Sequence, residues 1–125
     1  MTSLLLDTHA LLWSVGDEDR LSPAAHEVLS AGLVPAYVSA ASIWEIAIKR
    51  ASGKLDVPES LLDKVAGARF IELAITFEHA IRAGSLPPHH KDPFDRMIVA
   101  QAQSEGLTLV TNDERIAAYD VPVLW

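Results

Sequence analysis

The stretch His90-Lys91-Asp92-Pro93-Phe94-Asp95-Arg96-Met97-Ile98-Val99-Ala100-Gln101-Ala102 places two carboxylates at the mouth of a helix whose body is apolar. Asp92 reads as the N-cap, Pro93 as the first helical residue and Asp95 as the third, after which Met97, Ile98 and Ala102 form a buried face. An aspartate at the cap with a second acid three residues on resembles a capping box and suits the positive end of the helix dipole, which accounts for Asp92. Asp95 acquires a second meaning, as one ligand of a cation, if carboxylates from distant sequence reach the same point.

Moving outward, three other acids stand where an apolar strand gives way to a helix. Leu4-Leu5-Leu6 is a short continuous apolar run of the kind a buried parallel strand shows, and it stops at Asp7-Thr8-His9 before helical spacing resumes. Ser22-Pro23 opens a helix to about Ser30. Tyr37-Val38-Ser39 is a second strand, followed by a helix over 40–50 in which Glu45 lies between apolar positions, with Gly53 as its stop. Glu45 falls in about the second turn; taken alone it is a helix acid paired with Lys49 at i+4. A helix over 58–68, a third strand over 70–73 and a helix from Thr76 to Ala83, stopped by Gly84, come next. After the helix that begins at Asp92 and closes at Gly106, residues 107–111 make a fourth strand, with Asn112-Asp113 directly behind it. A short helix over 114–118 and a strand over 121–124 complete the chain.

This alternation predicts an α/β fold: one domain over residues 1–125, with a mostly parallel central sheet of about five strands and helices on both faces. In such sheets the ligand crevice lies beyond the carboxyl ends of the strands, which is where Asp7, Glu45, Asp95 and Asp113 are expected. Four carboxylates gathered there repel one another, and a bound cation resolves the conflict. Cysteine is absent, so the ligands are oxygen or imidazole, and oxygen ligands select Mg²⁺ or Mn²⁺.

Composition sets the outer bounds. With 125 residues, 50% of them hydrophobic and 22% charged, the chain has the make-up of one globular core. No apolar run approaches the roughly 20 residues of a membrane helix and no leader pattern opens the chain, so a cytoplasmic protein is expected. A net charge of −7 excludes broad binding of nucleic acid through a basic surface, unless part of that charge is confined to one acidic site.

Four motifs taken together, Leu-Asp7-Thr-His, Ser39-Ala-Ala-Ser-Ile-Trp-Glu45-Ile-Ala-Ile-Lys49, His90-Lys-Asp92-Pro-Phe-Asp95-Arg and Leu-Val-Thr111-Asn-Asp113, resemble the PIN domain. Over nearly its whole length the chain is similar to the VapC-type toxins of bacterial toxin–antitoxin pairs. The resemblance implies a Mg²⁺-dependent endoribonuclease that forms a homodimer and is silenced by a cognate antitoxin. It gives Asp7, Glu45 and Asp95 the places of the three principal acids and Asp113 that of the fourth. Asp92 is typical of the Asp-Pro-Phe-Asp subgroup; Thr8, Ser39 and Thr111 are candidates to support the carboxylates. Lys49, Lys91 and Arg96 are candidate RNA-backbone contacts, and His9, His89 and His90 candidate proton shuttles or RNA contacts. Trp13 and Trp44 read as core or as lining for a partner helix. The chemistry implied is attack of a cation-activated water on phosphorus, leaving a 5′-phosphate and a 3′-hydroxyl. A phosphoacceptor receiver domain shares the length and strand-end acids, but wants adjacent acids after the first strand and an Asp after the third. Here Thr8-His9 and Leu73-Ala74 stand in those places.

Overall fold

Leu4–Leu6 (β1) is completely enclosed, with strands on both sides and helices above and below. In the computed structural model, which describes residues 2–125, it is the middle of a five-stranded sheet of order β3-β2-β1-β4-β5. The others are Ala36–Ser39 (β2), Phe70–Leu73 (β3), Thr108–Val110 (β4) and Val123–Leu124 (β5). Every pairing is parallel, with Leu4, Leu5 and Leu6 opposite Ala36, Tyr37 and Val38 on one side and Thr108, Leu109 and Val110 on the other.

Alternation along β1 divides the core. Leu4 and Leu6 face a cluster with Leu11, Ala25, Ile46 and Leu61, from helices Thr8–Gly16 (α1), Pro23–Ala31 (α2), Ala40–Ala51 (α3) and Ser60–Gly67 (α4). Leu5 faces the opposite cluster with Ile98, Val99 and Ala102 of Pro93–Glu105 (α6) and Ile116 of Glu114–Ala117 (α7); Phe77–Ser85 (α5) packs outside on α6. Helices therefore cover both faces. None is long and apolar enough to cross a membrane among the described residues.

Chain order leaves β1 toward β2 and β3, then returns through α5 and α6 to β4 on the other side of β1. That reversal is the switch point where an α/β sheet opens a crevice. Local chemistry sets the helix starts around it. Asp7, Ser39, Asp92 and Asp113 are each N-caps whose side-chain oxygens accept backbone N–H groups of the first turn, and Pro93 occupies the first position of α6. Gly106, at φ 68°, adopts the left-handed conformation that lets the N–H of Leu107 return to the Ala102 carbonyl and the chain turn into β4.

One expected boundary is corrected. Gly84 does not stop α5, which continues through Ser85; Leu86 is extended because the following Pro87 disfavours helical backbone there. The last two strands are also shorter than expected: β4 is Thr108–Val110 and β5 only Val123–Leu124.

Candidate active site

Asp7 is 3% exposed and uses both carboxylate oxygens. Oδ1 accepts the Ala10 N–H at 2.8 Å as the cap of α1, and Oδ2 accepts the Thr111 hydroxyl at 2.5 Å from the end of β4. Thr111 Oγ1 in turn accepts the N–H of Asp113 at 3.0 Å, so one hydroxyl fixes two acids. Burial pushes the Asp7 carboxyl above its ordinary range, against the opposing hydrogen bonds from Thr111 and Ala10.

Glu45 does pair with Lys49 at i+4, at 2.5 Å, yet it is 4% exposed because α1 covers it. Its Oε1 accepts the Thr8 hydroxyl at 2.6 Å. Lys49 is raised above its ordinary pKa, first by the hydrogen bond to Glu45, with further attraction from Asp92 and Asp95, which places an internal cation at this edge of the cluster. Ser39 caps α3 through the Ala41 N–H and donates to none of the four acids.

Asp95 lies at the centre. Its carboxyl is pushed up to about 7, first by burial and then by the charges of Asp92, Glu45, Asp7 and Asp113. Those neighbours come from four separate points in the sequence, so the fold does bring the expected acids to one place. Asp92 caps α6, its Oδ1 accepting the N–H groups of Phe94 and Asp95. Asp113 is held below its ordinary range: burial raises it, but the Arg115 N–H and guanidinium and the His90 ring outweigh that.

His90 is the residue whose importance was least visible in the sequence. Its Nδ1 accepts the Asp92 N–H at 3.1 Å, which leaves the ring proton on Nε2. Nε2 then donates to Asp113 (3.2 Å) and lies 3.0 Å from Asp95, and atoms of these three side chains all lie within 4.8 Å of one another. A donor stands where the carboxylates most need positive charge.

Arg96, expected as an RNA-backbone contact, turns inward instead. Its guanidinium donates to the carbonyls of Ala83, Leu86, Pro87 and His90, and Tyr119 adds a hydroxyl bond to Pro87 O and accepts the His90 N–H. Together they pin the segment that carries His90. A lysine cannot match this planar fork. Arg96→Lys is expected to lower stability by about 2 kcal/mol, seen as a drop of several degrees in Tm, and an unchanged melting curve would contradict the clamp.

The arrangement fits a divalent cation. The donors are hard carboxylate oxygens, and the cluster is short of positive charge. Those of Asp7 and Glu45 keep lone pairs beyond their hydrogen bonds, whereas the two Asp113 oxygens each take two bonds from Arg115 and His90 and must release one to bind an ion. A pocket of acids at the switch point of a five-stranded parallel sheet is the architecture of a PIN domain, and the PIN domain family model matches residues 4–122: the chain belongs to that family. It is of the VapC type, being 34% identical to Ribonuclease VapC22 of Mycobacterium tuberculosis over 98% of this chain and 95% of that one. Its fold is that of the DNA-bound VapBC complex of Salmonella typhimurium (TM-score 0.74, 22% identity, 99% and 98% of the two chains). It is also that of Mycobacterium tuberculosis VapC20, described as a sarcin-ricin loop cleaving toxin (TM-score 0.66, 15% identity, 95% and 96%).

Proposed function

We propose that the protein is the toxin of a toxin–antitoxin pair, a Mg²⁺- or Mn²⁺-dependent endoribonuclease that hydrolyses RNA to 5′-phosphate and 3′-hydroxyl ends. The observation that carries this reading is the convergence of Asp7, Glu45 and Asp113 on Asp95, whose carboxyl is held at about 7 by burial and by these acids, with Asp95, Asp113 and His90 offering ligand atoms within 4.8 Å of one another. The ribonuclease name of the VapC22 relative supports it.

Asp7, Glu45, Asp95 and Asp113 would hold the cation, which when bound supplies the positive charge that activates water and steadies the charge on phosphate oxygens. The chain's own residues set the stage. Thr111 and Thr8 orient Asp7 and Glu45 by hydroxyl bonds. His90 Nε2–H donates to Asp113 and stands 3.0 Å from Asp95. Lys49, 40% exposed and among the acids, is placed to meet a phosphate oxygen at the rim.

Two surfaces suit partners. Trp44, 60% exposed, lies with Ile43, Leu62 and Val65 along an apolar groove between α3 and α4, fit for an antitoxin helix. On α5, Phe77 and Ile81 stand 91% and 72% exposed, a surface suited to a homodimer. A cytoplasmic site of action goes with this proposed RNA substrate.

The test is cleavage of total cellular RNA by the purified protein, freed of its antitoxin. Cleavage is expected with Mg²⁺ or Mn²⁺, none in chelator, and recovery when the cation is returned; equal cleavage in chelator would contradict the reading.

A further inference from the structure

A cavity of about 790 Å³ opens beside the acid cluster, sharing Asp113 with it and bounded by His9, Trp13, Arg20, Asn112 and Lys64. Its volume lies within the usual range for small-ligand sites. Its wall is a stack of planar groups. The His9 ring lies 5.7 Å from that of Trp13 with 24° between planes, and the Arg20 guanidinium sits 4.7 Å from the Trp13 ring centroid. Trp125 packs at 5.7 Å and a 58° tilt, and holds the indole in place.

Sequence builds this stack locally. His9 and Trp13 are four residues apart on α1 and therefore on one face, and the short 3₁₀ turn Glu18–Arg20 folds Arg20 back onto the indole. Nothing in the acid chemistry requires it. His9 and Arg20 are exposed, so the ladder has planar surface left to offer. His9 lies two residues after Asp7 at the start of α1, and the cavity includes Asp113, which puts the platform against the acids.

We propose that this cavity is a nucleobase subsite: an unpaired base adjoining the scissile phosphate stacks on the His9–Trp13–Arg20 ladder, with the Asn112 amide at its edge. The proposal rests on the ribonuclease reading above and goes on to say how the RNA is gripped. Asp17, Asp56 and Asp113 outnumber Arg20 and Lys64 along the cavity, and the planar wall offers stacking that a phosphate cannot use. Stacking on rings and on a guanidinium is a general part of how single-stranded RNA is held, and it adds affinity that a chain of net charge −7 does not draw from a basic surface.

The experiment is steady-state cleavage of a single-stranded RNA oligonucleotide spanning a site that the parent protein cuts, alongside versions with an abasic nucleotide on either side of the cut. One abasic position is expected to raise KM about tenfold in the parent with kcat nearly unchanged. His9→Ala should raise KM on the intact oligonucleotide by a similar factor, and the abasic change should then add little, while His9→Phe restores tight binding by keeping a ring. Arg20→Lys, which keeps charge and loses the plane, should behave as His9→Ala. Unaltered KM in His9→Ala, or abasic and His9→Ala losses that simply multiply, would overturn the subsite. So would unchanged RNA kinetics in His9→Ala with weakened inhibition by the antitoxin, which would make the ladder a protein contact. A parent protein that cuts no RNA under any cation would overturn the nuclease reading itself, and the subsite with it.

Discussion

Replacing Asp95 by asparagine is expected to abolish cleavage and, at pH 8 without divalent cation, to make the protein more stable. The two effects have one cause. Burial and the charges of four neighbouring acids hold the Asp95 carboxyl at about 7 against an ordinary 3.8. Below 3.8 it is protonated in both folded and unfolded chains and costs nothing. Between 3.8 and about 7 the unfolded chain ionises while the folded one retains its proton, so stability falls as pH rises, and above 7 the full cost remains. That cost is about 4 kcal/mol unscreened and roughly half of it after partial exposure to solvent. Asparagine removes the charge and fits the first turn of α6. Tm should rise by about 6 to 10 °C at pH 8, and the gap should close as pH falls toward 4. A divalent cation should raise the parent's Tm and leave the variant's nearly unmoved. An Asp95→Asn protein that melts below the parent at pH 8, or that cleaves RNA at the parent's rate, would show that the acid is structural.

Asp7 should behave differently, because it also holds the fold together. Asp7→Asn and Asp7→Ala both remove the charge and should each lower cleavage by about 10³-fold or more. Asparagine retains a good N-cap for α1, whereas alanine leaves the Ala10 N–H without a cap and the buried Thr111 hydroxyl without its acceptor. Asparagine has one carbonyl oxygen, which keeps the Ala10 cap, while its NH2 cannot accept the Thr111 hydroxyl, so with the charge gone from both variants their difference isolates the cap. It should amount to about 1 kcal/mol, with Asp7→Ala melting about 3 to 5 °C below Asp7→Asn. Coincident melting curves would mean that the Asp7 cap does not support α1.

How much of this is legible in the sequence follows from how local each cause is. The strand–cap–helix order at Asp7, Ser39 and Asp113, and the cap Asp92 that opens α6 after a loop, are written in cap residues and short apolar runs, so the parallel sheet and the meeting point of the acids can be read from spacing. Glu45 shows the limit of such reading. Its i+4 partner Lys49 gives it the look of a surface acid, and that bond exists, but the side chain is buried where α3 packs against α1 and α6 and takes a hydroxyl bond from Thr8, a tertiary fact. His90 and Arg96 lie further still from local pattern. The place of His90 depends on Tyr119 and on a guanidinium that collects four carbonyls from the α5 end and the loop after it, none of which spacing reveals. Gly84 misleads for the opposite reason: glycine is a common stop signal, but the Pro87-Pro88 pair beyond it sets the end of α5.

The central claim is that these carboxylates serve a cation that activates water, in place of a 2′-hydroxyl attack driven by paired acid and base groups. The direct measurement is the chemistry of the cut ends, read by mass spectrometry on an oligoribonucleotide cleaved by the purified protein in Mg²⁺ or Mn²⁺. The account predicts a 5′-phosphate on one fragment and a 3′-hydroxyl on the other. Fragments ending in a 2′,3′-cyclic phosphate with a 5′-hydroxyl opposite, produced at the same rate in chelator, would contradict it.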